Sequence, residues 1–103
     1  MPIEEIHHVQ LAMPSGGEAA ARVFYSELLG VPEVPKPRNL LRAGGVWFEN
    51  GAVRLHVGVD PAFHSSAKAH VALLVSDLAG LVQTLRDAGC RVVDDERLKG
   101  YFR

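Results

Sequence analysis

A single cysteine, Cys90, among 103 residues excludes a disulfide within the chain and makes a reducing cytoplasm the expected setting. The first residues lack the basic, apolar and small-residue succession of a secretory signal. No uninterrupted apolar run approaches the ~20 residues needed to cross a bilayer, so a soluble protein is expected. Neither sign of charge dominates. Eleven basic and twelve acidic residues give a net charge of -1, scattered without runs, so the chain has no electrostatic footprint for nucleic acid or an anionic membrane. What is present is a chain 48% hydrophobic, enough for one compact domain with a modest core and a small-molecule partner.

The opening "IEEIHHVQLAM" alternates in the manner of a strand. Side chains on a strand point to opposite faces in turn, so Val9, Leu11 and Met13 share the core face with His7. His8 and Gln10 fall on the opposite, polar side. After a "PSGG" turn, "EAAARVFYSELLG" has helical spacing and closes on Gly30. "VPEVPKPRNLLRAGG" carries three prolines, which predicts an edge strand at most and then a loop. "VWFENGAVRLHVGV" is two alternating runs joined by Asn50-Gly51, a strong hairpin signal. "DPAFHSSAK" reads as a linker. "AHVALLVSDLAGLVQTLRDAGCRVV" reads as a strand, a helix capped from about Asp77, a stop at Gly89 and another strand.

The two halves repeat. "HVQLAM", helix and "LLGVPEV" align with "HVALLV", helix and "DAGCRVV", matching His8 to His70 and Gly30 to Gly89. Recurrence at about sixty residues predicts two copies of one supersecondary module. Module one is expected over about 1–60, a linker over about 60–68 and module two over about 69–103, all within one domain.

Candidate site residues follow from the faces. With Asn50-Gly51 as a two-residue turn, Glu49 is expected opposite Ala52, Trp47 opposite Arg54 and Gly45 opposite His56. Val46, Phe48, Val53, Leu55 and Val57 then form the core side, leaving Trp47, Glu49, Arg54 and His56 on the other. His70 lies opposite Val71, Leu73 and Val75. Three strands thus each place one histidine, His8, His56 and His70, away from the face richest in β-branched residues. Lining one cavity, three neutral imidazoles suit a divalent metal such as Zn, Ni or Fe. Trp47 is either a substrate-stacking ring or a cation-π partner of Arg54. Glu49 is an acid, a base, a ligand or a solvated strand-end residue. His7 and His64 read as structural or solvent-facing, and Cys90 as a small buried hydrophobe.

With "IHHVQLAM", the helix ending "FYSELLGV", "VWFENGAVRLHVGV" and "AHVALLVSDLAGLVQTLRDAGC" in view, the chain resembles the vicinal oxygen chelate superfamily over nearly its whole length. That superfamily groups glyoxalase I, extradiol dioxygenases, fosfomycin-resistance transferases and bleomycin-resistance proteins. The resemblance implies an α+β fold of paired βαβββ modules whose mixed sheets form an open, curved cup around a metal, with His8 and His70 matching metal ligands. His56 falls on the last strand of the first module, where glyoxalase-like members supply a further ligand, often a carboxylate. Here that strand offers Arg54 or His56 and no acid, a departure from glyoxalase I.

Fourteen residues follow Gly89, against about thirty between Gly30 and the linker. The second module is therefore expected to lack its last strands, including an Asp-Pro-Phe-Gly-like turn and the glutamate that completes the family's metal site. A shortened form of a longer product, or a cup open on one side, is expected, and an exposed sheet edge favours a homodimer. The leading functional expectation is an enzyme using a divalent ion (Zn, Ni, Mn or Fe(II)) on a small oxygen-chelating substrate, of lyase, isomerase, transferase or dioxygenase type. His8, His56 and His70 are the candidate ligands, and Gln10, Trp47, Glu49 and Arg54 line the substrate pocket. The alternative is a metal-free small-molecule binding protein of the bleomycin-resistance type.

Overall fold

The alternating segments of the first half become a four-stranded sheet because each has one apolar face to bury. The computed structural model describes residues 1–95, and the chain divides into two compact units, Met1–Lys68 and Ala69–Arg103.

In the first unit, β1 (Val9–Met13) is followed by a short helix α1 (Glu18–Ala21) that runs on into a π-helical segment, Arg22–Leu28. Then come β2 (Glu33–Val34), a 3-10 turn (Arg38–Ala43), β3 (Val46–Asn50) and β4 (Val53–Val59). The strand order is β1-β4-β3-β2. β1 runs parallel to β4, while β2–β3 and β3–β4 are antiparallel. This is an α+β fold with an open mixed sheet in a β-α-β-β-β chain order, as expected for one module.

One face of the sheet makes the core. Met13, Val46, Phe48 and Val57 pack with Ala21 from α1 and Val31 from the following turn, and Tyr25 and Leu29 close over them. Phe48 is wholly enclosed, a burial that stabilises the fold by about 1.5–3 kcal/mol. Tyr25 tilts against it with ring centroids 5.3 Å apart. The helical segment differs from expectation in its pitch. Leu29 N–H donates to Phe24 O, five residues back, so the turn is wider than an α-turn. Its end is as expected: Gly30 takes φ +77°, and Val31 N–H returns to Tyr25 O, turning Val31 into the core. The prolines limit β2 to two residues at one end of the sheet, and the expected loop after it winds into the 3-10 turn.

The hairpin register corrects the expected one. The loop is Gly51–Ala52, so Asn50 pairs with Val53, Glu49 with Arg54, Phe48 with Leu55, Trp47 with His56 and Val46 with Val57. Gly51 has φ +59° and no non-glycine residue among the described residues has positive φ. That is the type II′ pattern, with glycine at the first central position, whereas an Asn-Gly type I′ turn needs positive φ at both. The slip moves each partner by two residues, so the expected faces survive and the cross-strand neighbours change.

In the second unit Asp77 caps helix α2 (Leu78–Asp87), its Oδ1 accepting from Gly80 N–H at 3.0 Å. Gly89, at φ +83°, ends it. The strands expected on either side, at about 70–75 and 90–93, are not formed among the described residues. Extended segments register as strands only through ladder hydrogen bonds to a neighbour. Cys90 is half-buried rather than enclosed. The end of the expected second module, residues 96–103, where its last strands were expected to be missing, lies outside the described residues.

Candidate functional site

The sheet face away from the core gathers most of the residues singled out by sequence. On β4, His56 is 4% exposed although it lies on the polar side. Its burial is lateral, by neighbouring side chains. Trp47, its cross-strand partner on β3, stacks on one ring face at a centroid distance of 3.8 Å and an angle of 2°. His8, just before β1, stacks on the other at 4.3 Å and 19°. Stacked rings in water exclude solvent from both faces and favour a fixed ring orientation.

Glu49 lies one diagonal step from His56 on the same face, and its Oε2 is 2.7 Å from His56 Nε2. Facing an ionised carboxylate, which only accepts, Nε2 would be the nitrogen that carries the hydrogen. With Nε2 occupied by the carboxylate, Nδ1 is the nitrogen left to face a ligand. Gln10 is His56's neighbour in the parallel β1–β4 register. Its side chain lies across Gly58, where a Cβ would collide with the Gln10 amide. Glycine at 58 thus makes room for a polar side chain on the site face.

Arg54 does not pair with Trp47 as a cation-π partner. Its Nη1 donates to the carbonyl of His7 at 3.0 Å, which ties the N-terminal arm to β4. His7 is exposed and lies before the first strand, not on the core face. Its Nδ1 is 3.0 Å from Nδ1 of His8. His64 is exposed in the connection that leaves β4, in line with a solvent-facing reading.

The structure therefore brings His8, Gln10, Trp47, Glu49, Arg54 and His56 onto one face of the first unit, while His70 belongs to the second. Sequence reasoning missed the Glu49–His56 contact and the Trp47–His56–His8 stack, because both depend on the true hairpin register. Asn50-Gly51 matches a type I′ turn in composition, and the backbone angle at Gly51, not its sequence, is what sets Trp47 opposite His56.

The donor chemistry suits a divalent ion. Neutral imidazoles ligate such metals, and a ligating histidine characteristically has its second ring nitrogen against a carboxylate, as His56 Nε2 is against Glu49. In the stacked arrangement the lone pairs of His8 and His56 lie in nearly parallel planes, so one ring has to turn before both reach one ion. His8, the exposed ring, is the one with room to do so. Among the described residues, no three His, Cys, Asp or Glu side chains stand together as a ready ligand set.

A solved structure shares this architecture: a glyoxalase family protein from Bacillus anthracis, 39% identical in sequence, aligns with a TM-score of 0.90 over 97% of this chain and 82% of that one. The chain belongs to the glyoxalase family. No family model and no curated protein matches it. The four-stranded sheet of this glyoxalase family member, with its histidine-bearing face, is the frame on which a functional site has to be built. No helix among its described residues is long and apolar enough to cross a membrane.

Proposed function

We propose that the protein is a divalent-metal-dependent enzyme of the vicinal oxygen chelate superfamily, acting on a small substrate that presents two neighbouring oxygens. The observation that supports this most is the Glu49–His56 pair at 2.7 Å, set beside His8 on the face of the sheet turned away from the core. In this reading His8 and His56 of the first unit supply imidazole nitrogens to Zn, Ni, Mn or Fe(II), and His70 is the further ligand that the family resemblance implies. A carboxylate supplied from outside these residues would complete the set.

Bound there, a divalent ion supplies Lewis-acid stabilisation of negative charge developing on two adjacent substrate oxygens. The chain's own residues do the rest. Glu49 orients His56, Trp47 keeps water from one face of that imidazole, and Gln10 offers an amide donor and acceptor to substrate. Arg54 holds the N-terminal arm, and with it His8, over β4. The chemistry common to lyase, isomerase, transferase and dioxygenase members is compatible with this set. A cytoplasmic homodimer accompanies the proposal, with β1, which ends the described sheet on one side, as its pairing edge.

A second reading, a metal-free binding protein of the bleomycin-resistance type, draws support from the continuous Trp47–His56–His8 stack. The two separate in a calorimetric titration of Zn, Ni, Mn and Fe(II) against the wild type and a His8→Ala, His70→Ala double variant. One-to-one binding lost in the double variant supports the enzyme. A wild type that takes up none of the four metals favours the metal-free pocket.

A further inference from the structure

Glu49 has a more specific task than lining a pocket. We propose that it is a positioning residue that holds His56 in the Nε2–H tautomer and so presents Nδ1 as the electron-pair donor of the site; its bearing on metal binding rests on the function proposed above. Three features of the pair converge on this. Its 2.7 Å separation is that of a short, charge-assisted hydrogen bond, roughly twice as strong as a neutral one. The imidazole is enclosed, with 5% of its side chain exposed against 28% for Glu49, so the contact sits where water competes least. The ring is also clamped between Trp47 at 3.8 Å and His8 at 4.3 Å. A flip about χ2, which would exchange the positions of its nitrogens and carbons, has to pass edge-on through both neighbours.

A carboxylate that serves only to pin the hairpin would leave the tautomer indifferent. One that positions the ring fixes which nitrogen carries hydrogen, and this difference is measurable without metal. Nitrogen-15 imidazole spectra of the metal-free protein at neutral pH are expected to show His56 with hydrogen on Nε2 alone. Glu49→Ala is expected to give a mixture of tautomers and a Ni or Zn affinity about 10–100-fold weaker, the range typical for loss of such a partner. Glu49→Gln, whose amide can donate to a bare Nε2 as well as accept from Nε2–H, is expected to leave the tautomers mixed and the affinity reduced. Wild-type His56 carrying hydrogen on Nδ1, a Glu49→Ala protein with an unchanged tautomer, or one that binds metal as the wild type does, would overturn the proposal. A wild type that shows the expected tautomer, yields to Glu49→Ala and yet takes up no metal would support the positioning role and reject the metal reading.

Discussion

The two faces of the four-stranded sheet are built from the same strands by opposite rules. On the core face Val46, Phe48 and Val57 are enclosed and purely apolar, and their contribution is packing. On the other, Trp47, Glu49 and His56 alternate with them residue by residue, yet His56 is nearly as buried as its core neighbours. One face is buried by a layer laid over it, the other by its own side chains stacking sideways. Burial therefore does not separate structure from function here. What separates them is whether enclosed atoms include nitrogen and oxygen held in a set geometry.

Substitutions can break or sharpen that contrast. The largest loss is expected at Phe48, whose replacement by alanine should cost about 3–5 kcal/mol in urea unfolding while leaving ligand affinity of the folded fraction unchanged. Gly45→Ala comes next. Its φ of +92° costs a side chain about 1–2 kcal/mol, and the new Cβ would lie 2.5 Å from the Val57 carbonyl oxygen, so β3 has to shift and a lower melting temperature is expected. Asp77→Ala, in the second unit, removes the cap of α2 and should cost about 1 kcal/mol, read as lost helicity by circular dichroism. His8→Ala should change stability by no more than about 0.5 kcal/mol, since the ring is exposed, but should abolish metal uptake. A His8→Ala protein as unstable as Phe48→Ala would erase the distinction between the faces.

The core face also carries a pH signature. Burial pushes the Tyr25 hydroxyl above its ordinary value of 10.0, because the half-buried phenolate is poorly solvated. The folded protein holds the neutral phenol more tightly than the unfolded chain does. The resulting stability is present below pH 10.0 and is lost as pH climbs through the raised folded value. Tyr25→Phe should flatten that alkaline decline in a series of denaturation midpoints.

The alternation in "VQLAM", "VWFEN" and "VRLHV" found the enclosed strand residues Met13, Val46, Phe48, Leu55 and Val57, because period two survives a register error of two. It also put Val53 on the core side, where the structure leaves it 38% exposed beside the turn. Cross-strand partners did not survive the register error. Asn50-Gly51 resembles a type I′ turn in composition, and only the backbone angle at Gly51 shows the loop one residue further on. The Glu49–His56 pair and the Trp47–His56–His8 stack were hidden by that single displacement. The π-helical pitch of Arg22–Leu28 left no mark in the apolar spacing, since an i to i+4 pattern serves a turn that widens by one residue. In the second half, capping by Asp77 and the stop at Gly89 were legible because both are local. The strands expected beside α2 are not formed among the described residues, since a strand needs a ladder partner that local sequence does not name.

The histidine-bearing face is proposed here as a metal site. Crystals of the full protein grown with Zn, examined at the metal's absorption edge, test it by location as well as by presence. The proposal predicts one anomalous peak about 2.0–2.1 Å from a nitrogen of His8 and from Nδ1 of His56. A peak elsewhere on the molecule, or none in crystals where His8 remains stacked on His56, would contradict it.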